Sequence, residues 1–277
     1  MMVTKQSSLR RIAFLHIPML AIVAFALGPY LWMLATSLTP ESRLFTHGPS
    51  FAEATFENYV RLFKTVGFHT SMLHSLIIAS GTVVLGLSLS VTAAYAFSRF
   101  SFRGQKFLMI QFLIINMFPI ILLILPLFIM MKDLGLIDTH LGLIIANSTI
   151  AIPFSVWMMT SYMNSIPKSL DEAAMTDGCT RLSALWRVVL PLCMPGIIAT
   201  GIYIFITAWN EYLYALTLGG REVRPITVAI QTLIGEYQIE WGLLTSGGIV
   251  GAMPTTILFL IVQRRLVGGL TQGAVKG

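Results

Sequence analysis

Residues 164–191 read Asn164-Ser165-Ile166-Pro167-Lys168-Ser169-Leu170-Asp171-Glu172-Ala173-Ala174-Met175-Thr176-Asp177-Gly178-Cys179-Thr180-Arg181-Leu182-Ser183-Ala184-Leu185-Trp186-Arg187-Val188-Val189-Leu190-Pro191. The spacing predicts two short helices and a turn. Pro167 suits a helix start, and Ser169 with Glu172 has the spacing of a capping box. Asp171 and Glu172 fall in the first turn, where the helix dipole favours acid. Gly178 supplies the stop, because glycine tolerates a left-handed backbone. Thr180 is placed to cap the second helix. Its Leu182, Leu185, Trp186 and Val189 recur at i, i+3, i+4 and i+7, one apolar face. The first helix carries Ala173 and Ala174 side by side, small enough to sit deep in a partner's groove. Glu172 and Asp177 are placed to accept hydrogen bonds there. A loop lying on a lipid surface fits the same residues.

On either side of this stretch the chain is strongly apolar. Of its 277 residues 56% are hydrophobic and 11% charged, against about 25% charged in soluble domains. So few charges cannot cover a soluble surface of this size, and runs of about 20 apolar residues are the length that crosses a bilayer. Six such runs occur, at 11–37, 72–98, 107–131, 141–163, 193–218 and 245–263. The expected fold class is an all-α membrane protein with six transmembrane helices. A β-barrel is excluded, because its strands alternate apolar and polar and these runs do not. The first run exceeds the core of a cleaved signal peptide and reads as an uncleaved span.

Lysine and arginine place the loops. Segments 1–11, 99–106, 164–192 and 264–277 hold three each, twelve in all. The opposite segments hold six: Arg43, Arg61, Lys64, Lys132, Arg221 and Arg224. Both termini are therefore expected in the cytoplasm, together with the 164–191 loop. The net charge of +6 is mostly this asymmetry and does not point to nucleic acid. Cys179 and Cys193 lie on or near the reducing side, where a structural disulfide is not expected. The five histidines (16, 47, 69, 74 and 140) show no metal-ligand spacing, and no metal is expected. Pro119 and Pro126 are expected to bend the third span, lining a cavity or serving packing. Residues 55–63 read as a short amphipathic helix, and Gly247 with Gly251 as a close-packing pair.

The 164–191 loop resembles the EAA motif of ABC importer permeases: Glu-Ala-Ala, three residues, Gly, nine residues, Ile, any residue, Leu-Pro. Glu172-Ala173-Ala174, Gly178, Val188, Leu190 and Pro191 match it, with Val188 in place of Ile. The resemblance covers nearly the whole chain and is nearest the maltose-type sugar importers. Trp209-Asn210-Glu211-Tyr212, Trp241 followed by Gly242-Leu243-Leu244, and the tail 269–277 also look like that subfamily.

That resemblance implies a type I ABC importer transmembrane domain in a bacterial inner membrane. Its layout would be a cytoplasmic N-terminus over 1–10, a first helix over 11–37, an extracytoplasmic segment over 38–71, a transmembrane core over 72–263 and a cytoplasmic tail over 264–277. It implies that Glu172, Ala173, Ala174, Asp177 and Gly178 couple to an ATP-binding cassette ATPase dimer. The tail would also reach that dimer. A second, homologous six-span permease and an extracytoplasmic sugar-binding protein would complete the assembly, with a carbohydrate as cargo. No phosphate-loop sequence occurs in this chain, so ATP and Mg would be held by the partner ATPase subunits, and the chain itself would be no enzyme.

Trp209, Asn210 and Glu211 are candidate translocation-pathway residues. Glu211 is the one acid well inside an apolar run, and two readings stay open for it: contact with sugar hydroxyls or the gate, or a structural pairing with a neighbour. Tyr237 and Trp241, in the loop 219–244, are candidate contacts for the binding protein or interfacial anchors. A secondary ion-coupled transporter or channel is the alternative, and Glu211 is its main support.

Overall fold

The structure, a computed structural model, describes residues 5–52, 54–235 and 239–274, with side chains within 14–263. It is helical almost throughout. In chain order the helices are α1 (Lys5–Leu38), α2 (Glu41–His47), α3 (Glu57–Lys64), α4 (Phe68–Arg99), α5 (Gln105–Met117), α6 (Ile120–Asp133), α7 (His140–Asn164), α8 (Ser169–Thr176) and α9 (Arg181–Ala184). A single π-helical segment (Leu185–Val189) follows, then α10 (Leu190–Leu192), α11 (Met194–Trp209), α12 (Leu213–Leu218), α13 (Ile226–Gln231) and α14 (Trp241–Ala274). Residues 234 and 239 form an isolated antiparallel bridge.

Four helices are long and apolar enough to cross a membrane unaided: α1 from Phe14, α4, α7 and α14 to Gln263. Two more crossings arise if bent pairs each count as one: α5 with α6, bent by 98°, and Arg181–Leu192 with α11, bent by 81°. The third apolar run is therefore not one curved helix. It breaks at Phe118–Pro119, where both residues are extended and Pro119 starts α6, while Pro126 lies inside α6. Proline at a helix start loses no hydrogen bond, because that first N–H has no intrahelical partner anyway.

Two compact units emerge. One comprises Met1–Phe68 and Thr232–Gly251. In it the apolar window of α1 is exposed along its length, as a lipid-facing helix would be. Its last turn is held by polar contacts: Asn58 Nδ2 donates to the Ser37 and Thr39 carbonyls at 3.0 Å each, satisfying acceptors that a helix end leaves open. Glu41 caps the start of α14, its carboxylate accepting from the Trp241 and Gly242 amides at 3.0 and 2.8 Å. Amphipathic α3 buries Asn58 and Leu62.

The other unit comprises His69–Gln231 and Ala252–Gly277. Here α7 is the central element, with half of its apolar window buried. One cluster joins Ile78, Met131, Leu143, Ala146, Tyr214, Leu218 and Val223. A second joins Val91, Ala94, Met159, Met163, Leu185, Val189 and Cys193 beneath the loop that contains α8. The α7–α11 contact depends on Gly196, where an added Cβ would lie 2.5 Å from Tyr162 Cγ. Gly196→Ala is expected to push the helices apart and cost about 1–3 kcal/mol by overpacking. The check is a lower thermal midpoint of the detergent-solubilised chain; an unchanged midpoint would show that Tyr162 can swing aside.

Candidate functional site

The loop between α7 and α11 folds as two short helices around a tight turn. Helix α8 begins with the Leu170 and Asp171 amides bonding to the Pro167 and Lys168 carbonyls. Ser169 is already inside the helix, and Lys168 at the cap position makes no side-chain bond. The capping box expected from Ser169 and Glu172 does not form, because the turn at Pro167 starts the helix one residue too early for Ser169 to act as the cap. The C-terminus behaves as the residues dictate. Gly178 takes φ +88°, its amide bonds to the Met175 carbonyl, and the Cys179 amide bonds to the Ala174 carbonyl. This paired pattern closes a helix on a left-handed residue. Thr180 Oγ1 then accepts from the Ser183 amide at 3.2 Å and starts α9.

The two faces of α8 differ. Asp171 and Ala174 are buried, while Glu172, Ala173, Asp177 and Gly178 are exposed. The exposed side thus offers two carboxylates flanking an alanine, with no bulky group between them. The apolar stripe of the second helix divides. Leu185 and Val189 are buried, but Leu182 and Trp186 are each 64% exposed, since the π-helical segment adds a residue and rotates the register. Leu182, Leu185 and Trp186 line an apolar groove of about 270 Å³ with Leu87, Val91 and Ile197.

Asp171 makes the contact that the spacing alone did not reveal. Its Oδ2 lies 2.8 Å from Arg99 Nε at the end of α4, with the two side chains only 7% and 5% exposed. The approach is off-line for a hydrogen bond, so the attraction is chiefly one of charge. Tyr95, one turn earlier on the same face, donates to Asp171 Oδ1 at 3.4 Å and to the Arg181 carbonyl at 3.3 Å. Arg99 Nη1 donates to the Met163 carbonyl at 3.1 Å, and the Arg181 guanidinium sits 4.9 Å above the Phe100 ring. The 72 residues separating Arg99 from Asp171 hide this pairing from any local pattern.

Trp209 is buried at 3% exposure and stacks on Phe205 at 5.6 Å. Asn210 is exposed, its amide group donating back to the Ile206 carbonyl at 3.0 Å. Glu211 sits where α11 ends, and its oxygens accept from the Tyr214 and Ala215 amides at 2.8 and 3.0 Å. It therefore caps α12, and the fifth apolar run is a helix, a three-residue break and a second short helix. Trp241 is exposed and lines a cavity of about 350 Å³ with Trp32, Met33, Thr36 and Phe45. Tyr237 lies outside the described residues. Cys179 and Cys193 are both free thiols.

Two further features escaped the sequence reading. His74 Nδ1 and His140 Nε2 lie 2.8 Å apart, although 66 positions separate them; among the described residues no third ligand joins them as a metal set. Asp138, itself at φ 59°, holds the loop after α12. Its Oδ1 accepts from the Val223 amide at 2.8 Å and its Oδ2 from the Glu222 amide at 3.1 Å. Burial alone would raise the Asp138 pKa, but these amides, with those of Arg221 and Gly220, outweigh it and bring it below the ordinary carboxylate value. A lowered folded-state pKa means that the clamp is fully present above the unfolded pKa and is lost as pH falls through the folded one. Asp138→Asn is expected to speed hydrogen exchange of the Val223 amide about tenfold at neutral pH, the loss of one charge-assisted bond. Unchanged exchange would show that the loop holds itself.

Residues 83–272 match the family model described as "Binding-protein-dependent transport system inner membrane component". Among curated relatives, the sulfoquinovosyl glycerol transport system permease protein SmoH of Agrobacterium fabrum is 36% identical over 91% of this chain and 89% of its own length. The trehalose/maltose transport system permease protein MalG of Thermococcus litoralis is 35% identical over 99% of both. The fold is that of a chain in a bacterial ABC transporter involved in import of the acidic polysaccharide alginate, with a TM-score of 0.80, 23% identity and coverage of 95% of this chain and 99% of that one. The family match over most of the length, and relatives aligned nearly end to end, place this chain in the family of binding-protein-dependent transport system inner membrane components, the multi-pass permease subunits of ABC importers.

Proposed function

We propose that this permease imports a carbohydrate handed over by an extracytoplasmic binding protein, and that α8 is the element on which an ATPase dimer acts. The observation that carries the coupling reading is the two-sided character of α8: Asp171 and Ala174 turned inward, Glu172, Ala173, Asp177 and Gly178 turned out. A short helix with small residues and two acids on its free face suits a cleft lined by donors. The carbohydrate reading rests on relatives named for trehalose, maltose and sulfoquinovosyl glycerol.

In this reading both termini and α8 are cytoplasmic. ATP and Mg are bound by the partner subunits, and a second six-span permease completes the pathway. Closure of the ATPase dimer draws the two coupling helices together and turns the cavity from one side of the membrane to the other. Hydrolysis resets it. This is a bistable transition driven by ligand-dependent domain closure. Asn210 and Glu211 border the pathway, and Trp241 with Tyr237 faces the binding protein.

The experiment is uptake by proteoliposomes holding this chain, its partner permease and the ATPase, with binding protein and labelled trehalose or maltose outside. Uptake that requires internal ATP is expected. Uptake driven by a proton or sodium gradient without the ATPase would instead make the chain a secondary transporter.

A further inference from the structure

We propose that Arg99 and Tyr95 are positioning residues that make the end of α4 move with α8, so that the coupling motion enters the transmembrane bundle through α4; this rests on the importer reading above. The argument begins with a cost. Charges taken out of water lose solvation that their mutual attraction repays only in part, so a buried ion pair is a poor device for stability alone. Arg99 is an extreme case: it is nearly enclosed, its Nη2 and Nε have no hydrogen-bond acceptor, and Nη1 alone is satisfied, by the Met163 carbonyl and Ser98. What compensates the guanidinium is the Asp171 carboxylate, and Asp171 belongs to α8.

Sliding α8 away from α4 would strand that cation in an apolar pocket formed by the ends of α4 and α7. The strong, short-ranged penalty makes the contact stiff, which apolar packing of the small Ala174 is not. Tyr95 adds a second tie in the same place, bridging Asp171 and the first carbonyl of α9. Arg181 over the Phe100 ring adds a third. Three residues within one and a half turns of α4 and the residue after it therefore grip both arms of the loop. The exposed face of α8 is left free for a partner while its inner face is bolted to a helix that runs the length of the unit.

The test uses the assembled importer in proteoliposomes, with ATP and labelled trehalose or maltose, whichever the native complex carries. The double variant Arg99→Met with Asp171→Leu removes both charges and keeps apolar volume. It is expected to retain its ATPase subunits through purification and to hydrolyse ATP within about twofold of the native rate, yet to take up about tenfold less sugar per ATP, within the span of ordinary coupling free energies. Arg99→Lys, which restores a cation, is expected to recover most of that ratio. A native sugar-to-ATP ratio in the double variant would overturn the proposal. So would loss of the ATPase subunits from it, because Asp171 would then shape the docking face rather than pass motion on. A native complex that shows no ATP-driven uptake at all would sink the importer reading itself, a result separate from either.

Discussion

Ala173→Trp is expected to leave this chain folded and membrane-inserted while lowering ATP-driven uptake at least about a hundredfold, the equivalent of about 2.7 kcal/mol. Ala173 is exposed on α8, and substitutions at exposed sites away from special features change stability by about 0.5 kcal/mol or less. The fold should not register the change. A cleft that receives the helix should register it fully, because an indole standing between Glu172 and Asp177 holds the helix away from its floor. Ala173→Ser, nearly the same size, is expected to stay within about threefold of native uptake, since it adds a single hydroxyl to a polar rim. Co-purification of the ATPase and vesicle uptake are the two measurements. Native uptake by the tryptophan variant would mean that α8 does not enter a groove, and the loop would return to the reading in which it lies on lipid.

The second large effect is on stability. Arg99→Met alone leaves the Asp171 carboxylate almost enclosed and without its counter-charge. Breaking one side of a buried pair typically costs about 3–5 kcal/mol. Adding Asp171→Leu removes the stranded charge, and the double variant is expected to return close to native stability, because well-packed apolar replacements of such pairs are often neutral. Chemical denaturation in a fixed detergent measures all three chains. Near-equal stability of the single and double variants would show that water reaches Asp171 and screens it. The same double variant is the one that separates folding from coupling, which is why its two readouts are worth measuring on one preparation.

Much of this architecture was written in runs of apolar residues and in a few punctuating positions. Gly178 stops α8 in the left-handed conformation that its place after Asp177 implied, and Thr180 caps α9 as expected. What stayed hidden has a common physical origin. In lipid both the buried and the exposed sides of a helix are apolar, so periodicity no longer reports which side packs. The stripe of Leu182, Leu185, Trp186 and Val189 looked like one face, but two of the four are largely exposed. Pro119 looked like a bend and is a break, because the residue before proline prefers an extended backbone and Phe118 takes it. Glu211 left two readings open, and its geometry is that of a cap on α12. The Arg99–Asp171 and His74–His140 contacts join distant parts of the chain, and no local spacing encodes them.

The π-helical segment at Leu185–Val189 acts as a length standard. A regular helix advances about 100° per residue, so deleting one residue there would straighten the segment and swing everything from Leu190 onward by about that angle. Val189 and Cys193, now fully enclosed, would be turned outward. Insertions and deletions should therefore be far worse tolerated across 185–189 than in the exposed 100–104 turn. A deletion scan read by surface expression would display that contrast as a sharp local trough.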